Sequence, residues 1–253
     1  MLIPTSPAEA AEMFGDGGDT LVVGGGTIVV PNIRLGHQRP AKALMLHRAG
    51  LGGVSRDGGR VTIGAGTSLA EIADLADPIG ACVAHIADPE VRGQATVGGN
   101  LCAENFDAPR GDLQGALIAL GAHVRSTGKG GERTEAIEDF LGNHAGRLVL
   151  DVSYDEAPGV YVYLDRQHTH EYTALAVSAV RHADGIRIGA TGVGDHGRRL
   201  ASAEGAAGDP AAAGQAALAD VDLQDDAVAS AWYREQTLPV LVRRALEQLQ
   251  EKA

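Results

Sequence analysis

The chain is poor in cysteine and in aromatic side chains, with two thiols and one tryptophan in 253 residues. Two thiols, Cys82 and Cys102, fall short of the roughly four that a cysteine-ligated iron–sulfur cluster needs, and their spacing is not that of a zinc site. A cluster serving this protein therefore belongs to another chain, and the two thiols are expected to be buried and structural. Basic residues are also scarce, with 21 Lys and Arg against 33 Asp and Glu and a formal net charge of −12. Without a run of Lys and Arg, neither a nucleic-acid backbone nor an anionic membrane is expected as a partner. An anionic ligand must then be held by backbone dipoles. No apolar stretch approaches the roughly 20 residues that cross a bilayer, and no basic segment with a long apolar run opens the chain. The expected location is cytoplasmic. His85, His123, His144, His182 and His196 show no metal-ligand spacing, so no metal is assigned.

Glycine is abundant, with 35 residues, many of them in short loops between apolar runs. Ser6 as a cap, Pro7 at the first helical position and Glu9 in the first turn predict a helix ending near Phe14 at Gly15. A short apolar run, Leu21-Val22-Val23, then enters Gly24-Gly25-Gly26-Thr27, and Ile28 to Leu35 reads as a loop leading into a helical turn. Val61 to Gly64 alternates as a strand, and Ser68 with Glu71 reads as a capping box for a helix through Leu75. Pro78 to Ile86 is expected to be helical, Thr96-Val97-Gly98-Gly99-Asn100 makes a second glycine turn, and Asp112 caps a helix from Leu113 to Leu120 that stops at Gly121.

From about Arg147 the pattern changes. Arg147 to Ser153, Val160 to Leu164, Ala174 to Val180 and Ile186 to Ala190 are strand-like and suggest a mainly antiparallel sheet. Ala211 to Leu218 and Ala227 to Gln250 read as helices, the second with Leu238, Leu241, Val242, Ala245, Leu246 and Leu249 at helical spacing, a core or interface stripe. A weak boundary falls near residue 145.

Successive glycines after a strand let backbone N–H groups approach a diphosphate closely, because no Cβ intervenes. A tight turn without a ligand explains either glycine loop taken alone, and the GxGxxG dinucleotide fingerprint is absent. Thr27 and Thr96 can donate hydroxyl hydrogen bonds to phosphate oxygens or stabilise their turns. Asp112 can accept from sugar hydroxyls, cap its helix, or do both.

The paired loops, Val22 to Thr27 and Thr96 to Asn100, followed by Gly111-Asp112 and Ala119-Leu120-Gly121-Ala122, resemble the FAD-binding medium subunits of the molybdenum hydroxylases. Pro31 and Arg34-Leu35-Gly36, Val91-Arg92, Ile137 to Leu141, Trp232-Tyr233-Arg234 and Val242-Arg243-Arg244-Ala245-Leu246 extend the resemblance over nearly the whole chain. It implies an α+β fold: a two-part N-terminal FAD-binding α/β domain of the vanillyl-alcohol-oxidase type over residues 1–145, then a C-terminal α+β domain, 146–253, with an antiparallel sheet and closing helices. It also implies FAD as cofactor, held by Val23, Gly24, Gly25, Gly26, Thr27, Ile28, Thr96, Gly98, Gly99, Asn100 and Asp112, with both glycine loops around the pyrophosphate and Asp112 near the ribose or its neighbouring hydroxyls. The partners implied are an iron–sulfur subunit and a molybdopterin subunit, with a small-molecule substrate or electron acceptor.

Three positions depart from the family pattern. Ile28 stands where many relatives carry a polar residue. The path from Leu101 to Arg110, with Glu104-Asn105-Phe106, is longer than usual. Leu164-Asp165-Arg166 replaces a segment that often carries a lysine near the flavin ring. These departures keep open a second reading, a stand-alone FAD-dependent oxidoreductase acting on a small molecule. A third is a scaffold without FAD. His168, His170, Glu171 and Tyr172 form a polar cluster that reads as a solvated loop or as a contact to the flavin or a substrate.

Overall fold

The computed structural model describes residues 1–103, 111–165 and 173–252. The Glu104-Asn105-Phe106 stretch, Arg166 and the His168, His170, Glu171 and Tyr172 cluster lie outside the described residues, as does the side chain of Asp165. The fold is α+β, and the chain divides into two compact units, each assembled from separate stretches of sequence.

The first unit comprises Met1–Ile72, Pro89–Ala103 and His123–Tyr154. Its opening helix, Pro7–Phe14, begins where Ser6 Oγ accepts the Glu9 amide at 3.1 Å and ends at Gly15, whose φ of +63° is a conformation that glycine adopts without a Cβ penalty. Strand Thr20–Val23 pairs in parallel with Lys42–Met45. A five-stranded sheet runs in the order Val54–Asp57, Arg60–Gly64, Arg147–Asp155, His123–Gly128, Arg133–Ala136. Ala10, Phe14, Leu44, Leu51, Leu148 and Leu150 pack into one apolar cluster of this unit.

Several expectations are corrected here. Arg147–Asp155 lies in the middle of this sheet, not in the C-terminal one. Its first four residues are buried in succession, as expected of a strand covered on both faces. Val54–Asp57 and Arg133–Ala136 are edge strands with mostly exposed polar side chains, so hydrophobic periodicity does not reveal them. Ser68 and Glu71 do meet, but the Glu71 carboxylate takes both the Ser68 amide, at 2.9 Å, and its hydroxyl, at 2.7 Å. The hydroxyl donates and does not cap, and one 3₁₀ turn, Leu69–Ile72, replaces the helix expected to reach Leu75. The second glycine motif is the first turn of a short helix, Val97–Leu101, and not an open loop. A further helix, Pro89–Gln94, precedes it.

The second unit comprises Ala73–Asp88 and the described residues of 111–122 and 155–252. Its four-stranded sheet is antiparallel throughout, in the order Arg198–Arg199, Gly185–Thr191, Thr173–His182, Gly159–Asp165. The helix Leu113–Ala119 packs against three of these strands, Thr173–His182, Gly185–Thr191 and Arg198–Arg199, and stops at Gly121, as expected. Helix Ala231–Glu251 covers the sheet, and all six residues of its apolar stripe are buried. This helix starts four residues later than the sequence pattern indicated, because Ser230 caps it by accepting the Tyr233 amide. The intervening segment 221–230 is pinned by Arg234. Its guanidinium is only 2% exposed and donates to the carbonyls of Ala174, Gln224 and Ala229 and, at 2.6 Å, to the Asp226 carboxylate.

Candidate functional site

In the first unit the strand Thr20–Val23 delivers its last residue, the buried Val23, directly into Gly24-Gly25-Gly26-Thr27. Gly26 has φ +75°, which a side chain would strain, and its carbonyl accepts the Val30 amide at 3.0 Å to start the short helix Val29–Arg34. Ile28 sits at the cap position of that helix and makes no side-chain capping bond. Among the described residues, the amides of Gly25, Gly26, Thr27 and Ile28 have no protein acceptor. Backbone donors in a row, half-exposed and free of side chains on the glycines, form an anion-binding nest.

The second motif is differently built. Thr96 Oγ1 accepts the Gly99 amide at 3.2 Å, while the amides of Val97 and Gly98 go to the carbonyls of Thr67 and Ala65, each at 2.9 Å. The Asn100 amide goes to the Thr96 carbonyl at 2.8 Å. With those amides committed, this segment offers a ligand bare backbone surface and the Thr96 and Asn100 side chains. Asn100 is buried and Gly99 exposed.

The two motifs, seventy residues apart, touch. A Cβ placed on Gly25 would fall 1.8 Å from the Gln94 carbonyl oxygen, and one on Gly24 would fall 2.5 Å from Thr96 Oγ1. The first of these contacts is backbone against backbone and cannot be relieved by a rotamer change. The sequence pairs the two loops by resemblance. The structure supplies the physical reason: the second motif is the wall against which the first is folded.

Asp112 belongs to the second unit. It occupies the cap position before Leu113–Ala119 but is itself in the α region, and its carboxylate makes no capping bond. This corrects the capping role expected from the sequence. The carboxyl is 8% exposed, and Oδ1 has no hydrogen-bond partner among the described residues. Burial pushes its pKa up to about 7, against smaller opposing contributions from its own amide and from Thr173. Thr173 is near enough to favour the charged form, yet its Oγ1 also lacks an aligned partner. Tyr161 and Cys82 complete this polar pocket. The Tyr161 hydroxyl is buried without an aligned partner, and its pKa is driven well above the usual value, chiefly by desolvation. The buried Cys82 thiol contacts the Asp112 carbonyl at 3.5 Å, and its pKa is likewise raised by burial. Sequence reading singled out neither Tyr161 nor Thr173. The alternation Val160-Tyr161-Val162-Tyr163 was the available signal, since it places the two valines in the core and both tyrosines on the other face. On that face His85 stacks on Tyr163 with ring centroids 3.7 Å apart.

A strand-to-nest unit backed by a second glycine segment is suited to holding the phosphates of a nucleotide. Residues 1–152 match the family model for the FAD binding domain in molybdopterin dehydrogenase, and the chain belongs to this family, that of the FAD-binding medium subunits of molybdenum hydroxylases. It is an FAD-dependent oxidoreductase. Over its full length it is 26% identical to the alpha subunit of the 6-hydroxypseudooxynicotine dehydrogenase complex of Paenarthrobacter nicotinovorans, covering 94% of that chain. Over 148 residues, 54% of this chain and 50% of the relative, it is 29% identical to the carbon monoxide dehydrogenase medium chain of Hydrogenophaga pseudoflava. The solved carbon monoxide dehydrogenase of Hydrogenophaga pseudoflava that lacks the Mo-pyranopterin moiety shares the fold, with a TM-score of 0.86 at 24% identity over 100% of this chain and 97% of that one.

The residues present fit FAD. The nest of Gly25 to Ile28 presents the donors that a pyrophosphate requires, and the cradle is closed to any side chain larger than hydrogen at Gly25. No helix of the described residues is long and apolar enough to cross a membrane.

Proposed function

We propose that the chain is the electron-transferring flavoprotein of a three-component molybdenum hydroxylase, working with an iron–sulfur subunit and a molybdopterin subunit in the cytoplasm. The observation that carries this reading is the row of unpartnered amides from Gly25 to Ile28, folded against the Thr96 segment. When bound, FAD supplies a redox centre that takes electrons from an iron–sulfur donor and passes them to oxygen, a nicotinamide or another acceptor.

The protein's part is to hold and orient. Val23 fixes the start of the loop in the core, while Gly24, Gly25 and Gly26 bring the backbone up to the pyrophosphate. The amides of Gly25, Gly26, Thr27 and Ile28, with the Thr27 hydroxyl, donate to its oxygens. Thr96, Gly98, Gly99 and Asn100 form the opposite wall, where the lack of side chains at the two glycines admits the cofactor. Asp112 serves a sugar hydroxyl. With its pKa raised by burial to about 7, the carboxyl is part protonated near neutral pH and can donate as well as accept, and a hydroxyl ligand satisfies both. In this reading the two glycine loops lie in the first unit, Asp112 comes from the second, and the C-terminal domain begins after Tyr154, not at 146, because Arg147–Asp155 belongs to the first unit's sheet.

The test is anaerobic. The purified chain loaded with FAD is mixed with NADH and candidate small substrates, and its visible spectrum is followed before and after an iron–sulfur partner is added. Flavin that stays oxidised until the partner arrives is the expected result. Bleaching by a small molecule with no partner present would make the stand-alone oxidoreductase the correct account.

A further inference from the structure

We infer that the exposed surface of residues 30–42 is the docking face for an acidic protein partner, and that this partner is the iron–sulfur subunit. The inference rests on the electron-transfer reading above. It begins from a segregation of charge. The chain carries a net charge of −12, yet between Asp19 and Asp57 it has no Asp or Glu and five basic residues, Arg34, Arg39, Lys42, Arg48 and Arg56. All of the chain's acidic residues therefore lie outside the very segment that contains the nest.

The structure shows what this segment does with its cations. Arg34, Arg39 and Lys42 are exposed, and among the described residues they form no ion pair. Elsewhere Arg125, Arg133, Arg199, Arg234 and Lys252 each hold a carboxylate of the same chain, while Lys129 and Arg244 are isolated exposed cations outside this acid-free stretch. In an acidic protein, cations left without partners are cations without a structural role in the free subunit.

They share an exposed stretch of chain with apolar side chains. The helix Val29–Arg34 buries none of its residues, with Val30 and Ile33 exposed at 43% and 38%, and Leu35 just beyond it at 69%. A helix of six residues with no buried face has little reason to persist in water through packing of its own. Three exposed apolar side chains with three unpaired cations in the same short stretch have the composition of an interface: apolar groups that a partner desolvates and charges that select and steer it.

Charge complementarity decides the occupant. A second copy of this chain is disfavoured, because a two-fold contact would lay this basic patch against itself. A small anion would leave the apolar trio uncovered. An acidic protein meets both requirements, and this stretch carries no carboxylate to repel it. The face begins two residues after the last unpartnered amide, Ile28, so a protein seated on it stands at the cofactor loop.

The experiment uses the complex as it exists. The complex is purified through a tag on the full-length flavoprotein and dissociated in high salt. The iron–sulfur protein recovered from it is titrated with FAD-loaded chains at several salt concentrations. The triple variant R34E/R39E/K42E and the double variant I33D/L35D are compared with wild type and with R243E/R244E on the closing helix. Flavin content is measured for each, so that a damaged cradle is recognised. The expected result is full flavin content throughout, dissociation constants raised about 100-fold in the two face variants, loss of most of the salt dependence in the triple one, and wild-type binding by R243E/R244E. If wild type binds and the face variants bind equally well, this face is wrong and the electron-transfer reading stands. If no iron–sulfur protein is recovered with wild type, or none re-associates, both fall. Weakened NADH binding in the variants, with partner binding intact, would assign the patch to a nucleotide and overturn the inference.

Discussion

Among single residues, Asp112 departs furthest from its ordinary chemistry. A carboxyl titrating near 7 in the folded chain and near 3.8 in the unfolded one keeps its proton in the native state across that interval. The native state then binds more protons than the unfolded state, and stability falls as pH rises from about 4 to about 7. Asn at this position cannot ionise. In Asp112→Asn the corresponding part of the slope is therefore expected to vanish, measured by urea unfolding of the FAD-free protein at a series of pH values from about 5 to 8. An unchanged slope would mean that Asp112 is ionised in the folded chain. The sequence made Asp112 visible through Gly111-Asp112 before a helix, but not its environment. Thr173 and Tyr161 lie far along the chain, on the paired strands Gly159–Asp165 and Thr173–His182, and their approach to Asp112 is set by tertiary packing. The glycine run after a strand was legible as a place where backbone can approach a ligand or simply turn; that the amides of Gly25 to Ile28 are left without a protein acceptor is seen only in the structure. That Val97 to Asn100 spend their amides internally was not, because the acceptors on Ala65 and Thr67 are fixed by tertiary packing.

At the scale of elements, local signals found the first and last helices, though the Ser68–Glu71 pair announced a helix that is only a 3₁₀ turn, and elements defined by their neighbours went unread. Pro7–Phe14 carries its own cap, and Ala231–Glu251 carries its own stripe. Val54–Asp57, every residue of it exposed, exists because Arg60–Gly64 pairs with it. The closing helix also shows how a motif of resemblance gains a physical meaning. Trp232 and Tyr233 are exposed, while the third member, Arg234, is the buried clamp that holds 221–230 against the sheet. Replacing it by Met would leave three carbonyls and the Asp226 carboxylate without their donor. Arg234→Met is expected to lower stability by about 3–5 kcal/mol, read from denaturant unfolding, with Trp232 fluorescence as the local probe. A loss below about 1 kcal/mol would reduce the clamp to an ordinary surface pair.

For the whole molecule, ligand linkage turns the cradle into a property of the entire chain. FAD binds the folded state, so a hundredfold excess over its dissociation constant should stabilise the protein by about 2.7 kcal/mol and raise the melting temperature measurably. Gly25→Ala should retain a folded far-ultraviolet spectrum but purify without stoichiometric flavin and show no rise on adding FAD. A variant that still melts higher with FAD would show that the backbone yields where Gly25 meets Gln94.

That contact also sets a timetable. Residues of the nest leave the ribosome early, but their wall, from Gln94 to Thr96, follows some seventy residues later, and the strands that complete the surrounding sheet, Arg133–Ala136 and Arg147–Asp155, come later still. Long-range contacts form only after the intervening chain is available to close on them. Cofactor loading is therefore a late event in the life of the nascent chain, and the coloured form of the protein reports that the first unit has been finished.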